Sequence, residues 1–114
     1  MLIQNALGKV TFSKDVVSNI VGKTAAATQG ISAISSGFIE GITQKLAGKS
    51  HQAGIVLTPA DTSFDIRLSI AVQYGIRIHV VCRELQQNIR EAVERYTGLE
   101  IGCIQVDVEE ITVP

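Results

Sequence analysis

Aromatic residues make up 4% of this chain, and tryptophan is absent. That leaves little for the stacking platforms on which single-stranded nucleic acids are read. Two aromatics that a strand might present, Phe64 and Tyr74, fall on the expected buried parity. Excess charge of one sign is also missing. Ten Lys and Arg stand against eleven Asp and Glu, a formal net charge of −1. A nucleic-acid binder normally carries a clustered positive excess, so no nucleic-acid partner is expected. Cysteine occurs twice, at Cys82 and Cys103, both in expected regular structure. They read as reduced core thiols, behaving as small apolar residues, with a disulfide or a reactive thiol as the alternative. No stretch approaches the ~18 apolar residues of a membrane span. The start, Met1 to Leu7, has no basic region and no long apolar run, unlike a signal peptide. The expectation is a cytoplasmic chain without direct membrane insertion, reaching a membrane only through a partner.

What is present suits a globular fold. Hydrophobic residues are 46% and charged residues 18% of 114 residues. A chain of this size buries roughly 65% of its unfolded surface, enough for one core without staples. The organising stretch runs from Ser63 to Gly98. Phe64, Ile66, Leu68, Ile70, Val72 and Tyr74 alternate with Asp65, Arg67, Ser69, Ala71 and Gln73. Period two marks a strand with one buried face. Gly75 ends it. A helical period follows in Ile78, Val81, Cys82, Leu85, Ile89, Ala92, Val93 and Tyr96, closed by Thr97-Gly98. The opposite face, with Arg83, Gln86, Gln87, Arg90, Glu91, Glu94 and Arg95, reads as solvated. Arg90 with Glu94 and Glu91 with Arg95 are i,i+4 pairs of opposite charge.

Residues 1–7 read as a flexible lead-in, and 8–114 as a single α+β domain. Lys9 to Phe12 alternates as a short strand. Ser13 caps a helix that runs to about Thr28, with Asp15 suited to its first turn. Val16, Val17, Ile20, Val21, Thr24, Ala27 and Thr28 form its expected apolar face. The far side is rich in small residues around Gly22 and reads as a tolerated glycine or a place of close backbone approach. Residues 31–37 read as a turn-rich connection with room for a short strand. Phe38, Ile39, Ile42 and Leu46 recur at helical spacing, giving a short helix ended by Gly48. Gly54 to Thr58 is an apolar strand, joined through Pro59-Ala60-Asp61-Thr62 to the long strand as a hairpin. After Gly98, Leu99 and Ile101 share one parity, while Ile104, Val106 and Val108 take the other. A slip of one residue at Gly102-Cys103 predicts a β-bulge. The fold class is α+β: a small mixed sheet in β-α-β-β-α-β order with the two long helices on one face.

Clustered chemistry is missing. Gly22-Lys23-Thr24 matches the end of a phosphate-binding loop, but Val17 stands where that motif needs glycine, and the tripeptide lies inside a helix. His79 and Cys82 share a helix face without the further ligands that zinc requires, and His51 is far off in a loop. Cys82 on an apolar stripe is a poor thiolate. Ser35-Ser36-Gly37 lacks the strand-turn-helix setting of a nucleophile elbow. Gly37 and Gly41 are one residue too widely spaced for a G-x-x-G nucleic-acid loop. Glu109-Glu110 reads as a solvated edge. No catalytic, cofactor-binding or metal-ligating residue is assigned, and no cofactor is expected.

Several segments occur in a familiar order. They are Gly8 to Ser13 before a Val/Ile-rich helix, Gly37-Phe38-Ile39-Glu40-Gly41-Ile42, the strand ending Val72-Gln73-Tyr74-Gly75, the helix Val80 to Tyr96, and Thr97-Gly98-Leu99-Glu100 with Ile104 to Val108. In this order they resemble the alkaline shock protein family of Gram-positive bacteria, a general or envelope stress response family. The resemblance covers about residues 8 to 113. It implies a small cytoplasmic protein without catalytic residues, held by an integral-membrane anchor protein and linked to envelope homeostasis under stress. Self-association as a homo-oligomer is expected through the small-residue patch on the first helix or the free edges of the sheet. Other members imply a soluble role tied to lipid metabolism, such as binding a metabolic enzyme or small ligand. The chain departs from many members at Arg77-Ile78-His79, where a proline and acidic residues are common.

Overall fold

The computed structural model describes residues 2–34, 54–59 and 63–113. The short helix expected around Phe38 to Leu46, with Ser35 to Gly41 and His51, lies outside them. The described elements are β1 (Leu2–Asn5), β2 (Gly8–Thr11), α1 (Lys14–Ala27), β3 (Ile31–Ile34), β4 (Ile55–Pro59), β5 (Phe64–Gln73), α2 (Ile78–Thr97) and β6 (Ile101–Thr112).

β5 is the spine of the molecule. Its even positions Phe64, Ile66, Leu68, Ile70 and Val72 are all buried. Along one edge β4 pairs antiparallel with its first half and β3 antiparallel with its second half. β6 pairs with it in parallel, from Phe64↔Ile101 to Gln73↔Thr112. The sheet is therefore mixed. A parallel pair needs a crossover, and α2 supplies it. The buried positions of α1 (Val17, Val21, Ala25) and of α2 (Leu85, Ile89, Val93) join the even positions of β5 in one apolar cluster.

Local chemistry explains the boundaries. The Ser13 hydroxyl accepts from the Val16 N–H at the start of α1. α2 begins at Arg77 with no side-chain cap, as its sequence foretells, and stops at Gly98, whose φ of 75° is left-handed. Gly30 follows α1 with φ +97°. A Cβ there would sit 3.2 Å from both Val81 methyls, so the turn between α1 and β3 packs directly on α2.

Several expectations are corrected. Leu2–Asn5, within the expected lead-in, pairs with β2 in a hairpin of its own, so the first expected strand is not part of the main sheet. Ile31–Ile34 forms the short strand for which the connection left room, on the half of the β5 edge that β4 leaves uncovered. The described order thus differs from β-α-β-β-α-β by two additional strands. The buried stripe of α1 is Val17, Ser18, Val21 and Ala25. It is rotated toward the small-residue side, leaving Val16 and Ala27 exposed and Gly22 half-buried. Tyr74 is 68% exposed, because β5 ends at Gln73 and the turn at Gly75 carries the ring off the sheet. Cys103 is exposed rather than core, and Cys82 is half-buried.

Candidate interaction surfaces

Three surfaces stand out among the described residues. The first is an open groove of about 470 Å³ between the two long helices. Ile20, Thr24 and Ala27 from α1 face Asn88, Ala92 and Tyr96 from α2 across it. Its polar groups are satisfied internally. The Thr24 hydroxyl donates to the Ile20 carbonyl at 2.7 Å, that of Thr28 to the Thr24 carbonyl at 2.9 Å, and the Asn88 amide to the Thr28 hydroxyl at 3.2 Å. What remains is mainly apolar, with Lys23 at the rim.

The second surface is where α2 meets the start of β6. Arg90 donates to the carbonyls of Ile101 (2.9 Å) and Gly102 (2.7 Å), and Gln86 to that of Ile104 (2.8 Å). The Asp65 carboxylate accepts from the Cys103 N–H at 2.9 Å. These bonds hold the bulge foreseen at Gly102-Cys103, where Phe64 pairs with Ile101 but Ile66 with Ile104. A second irregularity at Glu109 was not foreseen. Gln86 and Arg90, on the face expected to be merely solvated, instead shelter the first part of the β6 edge, and Arg90 also lies 3.6 Å from Glu94. Charged side chains at a sheet edge discourage unwanted strand pairing. Helical periodicity alone gives no signal for such contacts, since it cannot say which strand edge passes beneath a polar face.

The third surface combines an arm and an edge. The β1–β2 hairpin makes a two-residue turn at Ala6-Leu7, and Leu7 at its tip is 98% exposed. Leu2 and Val10 are exposed as well, while Ile3 and Phe12 pack on the core. On the second part of β6, Val108, Ile111 and the following Val113 are exposed.

The odd face of β5 carries the Arg67–Asp107 ion pair, 2.8 Å long. The hydrogen bonds from Arg67 and then Gln105 hold the Asp107 carboxyl below the usual aspartate range. Burial pushes the Cys82 thiol up. Lys23 and Thr24 lie inside α1, where backbone groups are already bonded. His79, Glu109 and Glu110 are exposed. Among the described residues no three of His, Cys, Asp and Glu are grouped to hold a metal, and no helix is long and apolar enough to cross a membrane.

The sequence from residue 2 to residue 113 matches the alkaline shock protein 23 family, described by a cell envelope-related function. The chain belongs to that family. It is 28% identical over 102 residues to YqhY of Bacillus subtilis, spanning 90% of this chain and 76% of YqhY. It is 27% identical over 108 residues to Spy1614 of Streptococcus pyogenes serotype M6, spanning 93% and 89% of the two chains. A Streptococcus pyogenes serotype M3 protein named stress response regulator gls24 homolog is 23% identical over 91% of this chain, which spans 59% of that longer relative. The family description is envelope-related, and relatives of this chain are named for stress response. Its fold is similar to the solved domain titled MamM-CTD 215-293, at TM-score 0.52 and 12% identity over 86% of this chain and 99% of that one. A nickel form of a variant of that domain gives TM-score 0.51 at 12% identity, over 84% and 96%. At such identity the likeness concerns the fold alone.

Proposed function

We propose that this family member is a non-enzymatic, cytoplasmic protein of stress response and envelope homeostasis. It acts by self-association and by docking on a membrane-anchored partner. The observation that carries this reading is that six of the eleven exposed large apolar side chains among the described residues lie at two places: Leu2, Leu7 and Val10 on the hairpin, and Val108, Ile111 and Val113 on and just after the second part of β6. Strand edges flanked by exposed apolar groups are templates for another chain. The family's envelope-related description supports the setting. Residues 8–114 act as one domain, with 1–7 as an extension tied down at Ile3. Both long helices cover the even face of β5, a reading that the single apolar cluster supports. Crosslinking in the membrane fraction of native cells tests the function. Links to an integral-membrane protein and between copies of the chain are expected; links to soluble enzymes alone would overturn it.

The groove between α1 and α2 favours a second reading, a soluble regulator that binds a lipid-synthesis enzyme or a small apolar ligand. Ligand sites are concave and mainly apolar with few polar groups. Under this reading Ala92→Phe, which fills the groove, abolishes that binding and leaves self-association unchanged.

A further inference from the structure

The β1–β2 hairpin ends in an apolar knob held in a fixed shape. Leu7 at its tip is 98% exposed, more than any other large apolar side chain among the described residues. The Leu7 N–H donates to Asn5 Oδ1 at 2.8 Å, which ties the two-residue turn. At the root of the arm, Ile3 lies beside Gly98 and Phe12 packs on the core. The arm is thus anchored at one end and presents a leucine roughly 13 Å away at the other.

The groove between α1 and α2 is the matching hole. Ile20 and Ala27 on one wall and Ala92 and Tyr96 on the other supply apolar surface. Thr24, Thr28 and Asn88 already bond within the groove, so an apolar occupant loses little by making no hydrogen bonds there. Ala27 and Tyr96 are exposed, so the groove is open. Its walls differ in charge. Lys23 stands on the α1 wall. On α2, Glu84 and Glu91 come one turn before and one turn after Asn88 and share its side of the helix, with Arg95 a further turn on. Lys23, Glu84 and Glu91 are exposed, and none forms an ion pair among the described residues. The arm is asymmetric too. Lys9 on β2, also without an ion pair, lies opposite the uncharged Gln4 on β1.

We propose that the hairpin arm of one copy enters the α1–α2 groove of a second copy, with Leu7 between Ile20 and Ala27 on one side and Ala92 and Tyr96 on the other. β2 then follows the α2 wall and sets Lys9 against Glu84 and Glu91. β1 follows the α1 wall and sets Gln4, not a second cation, beside Lys23. The occupant is a second copy because one chain carries both knob and hole, and because the cationic strand of the arm matches the acidic wall while the neutral strand matches the cationic one. This names the surfaces for the self-association proposed above and rests on that reading. Arm and groove are different surfaces, so the contact is heterologous, and each copy both gives an arm and receives one.

Sedimentation velocity of the full chain over a concentration series tests this. The wild-type chain should associate as concentration rises. Leu7→Asp should raise the concentration needed by roughly tenfold or more, with circular dichroism unchanged, because a side chain so exposed supports nothing in its own fold. Ala92→Phe, which fills the groove, should do the same, whereas the small-ligand reading leaves self-association unchanged in that variant. An equimolar mixture of the two variants should form dimers and stop there, because the mixed pair has one intact arm and one intact groove and neither is left over. Association of either variant like wild type would overturn the arm-in-groove contact while self-association stands. A mixture that stays monomeric would overturn it too. A wild-type chain that stays monomeric at every concentration would overturn self-association itself.

Discussion

The Arg90 guanidinium grips the Gly102 carbonyl at 2.7 Å and the neighbouring Ile101 carbonyl at 2.9 Å, joining the middle of α2 to the bulge of β6. Hydrogen bonds from a charged donor are stronger than neutral ones, but Arg90 is partly exposed and water competes for the same carbonyls. Arg90→Ala should lower stability by about 1–2 kcal/mol, read from urea unfolding. An unchanged midpoint would mean that the bulge holds without the grip.

On the other side of the same bulge, a Cβ at position 102 would lie 2.5 Å from the Asp65 carboxylate. That carboxylate cannot both yield and keep its bond from the Cys103 N–H. Gly102→Ala should therefore cost about 1–2 kcal/mol, and clearly less in an Asp65→Ala background. A double-mutant cycle measures the difference; strictly additive effects would contradict the account.

The two cysteines should separate cleanly in thiol labelling. Cys103 is exposed, whereas Cys82 is half-buried on α2 and its thiol is pushed up by that burial. Since the thiolate is the reactive form, Cys103 should be alkylated at least several-fold faster at neutral pH. Mass spectrometry of the peptides over time reads the order, and equal rates would contradict it.

The Asp107 carboxyl is held low first by the hydrogen bond from Arg67 and then by that from Gln105. A folded-state value below the unfolded one gives stability that is present above the unfolded value, about 3.9, and is lost as pH falls through the folded one. Arg67 stays charged throughout, so the carboxylate alone sets this window. A carboxyl titration followed by NMR should place Asp107 below an ordinary aspartate, and Arg67→Ala should raise it. The pair is well exposed, so its contribution is small and salt-sensitive.

Much of the fold is legible in the sequence, because burial writes its own period. The alternation from Phe64 to Val72 marks β5, the stripe from Ile78 to Val93 marks α2, and the phase slip at Gly102-Cys103 marks the bulge. The remainder depends on partners that periodicity does not record. Leu2–Asn5 is a strand only because Ile3 docks beside Gly98 and β2 lies alongside. α1 turns Ser18 and Ala25 inward, since small residues let it sit close, and leaves Val16 outside. Tyr74 keeps the parity of the strand in sequence but lies one residue past its end. The surfaces were less legible still. Gln86 and Arg90 look like any solvated helix face until the β6 carbonyls are seen beneath them.

Membrane association through a partner is the centre of the functional account, and fractionation of native cells tests it most directly. The account predicts that the protein pellets with membranes and is released by high salt or mild detergent, as expected of a chain held by another protein. Recovery wholly in the soluble fraction, including after an alkaline shift, would contradict it and transfer weight to the groove between α1 and α2.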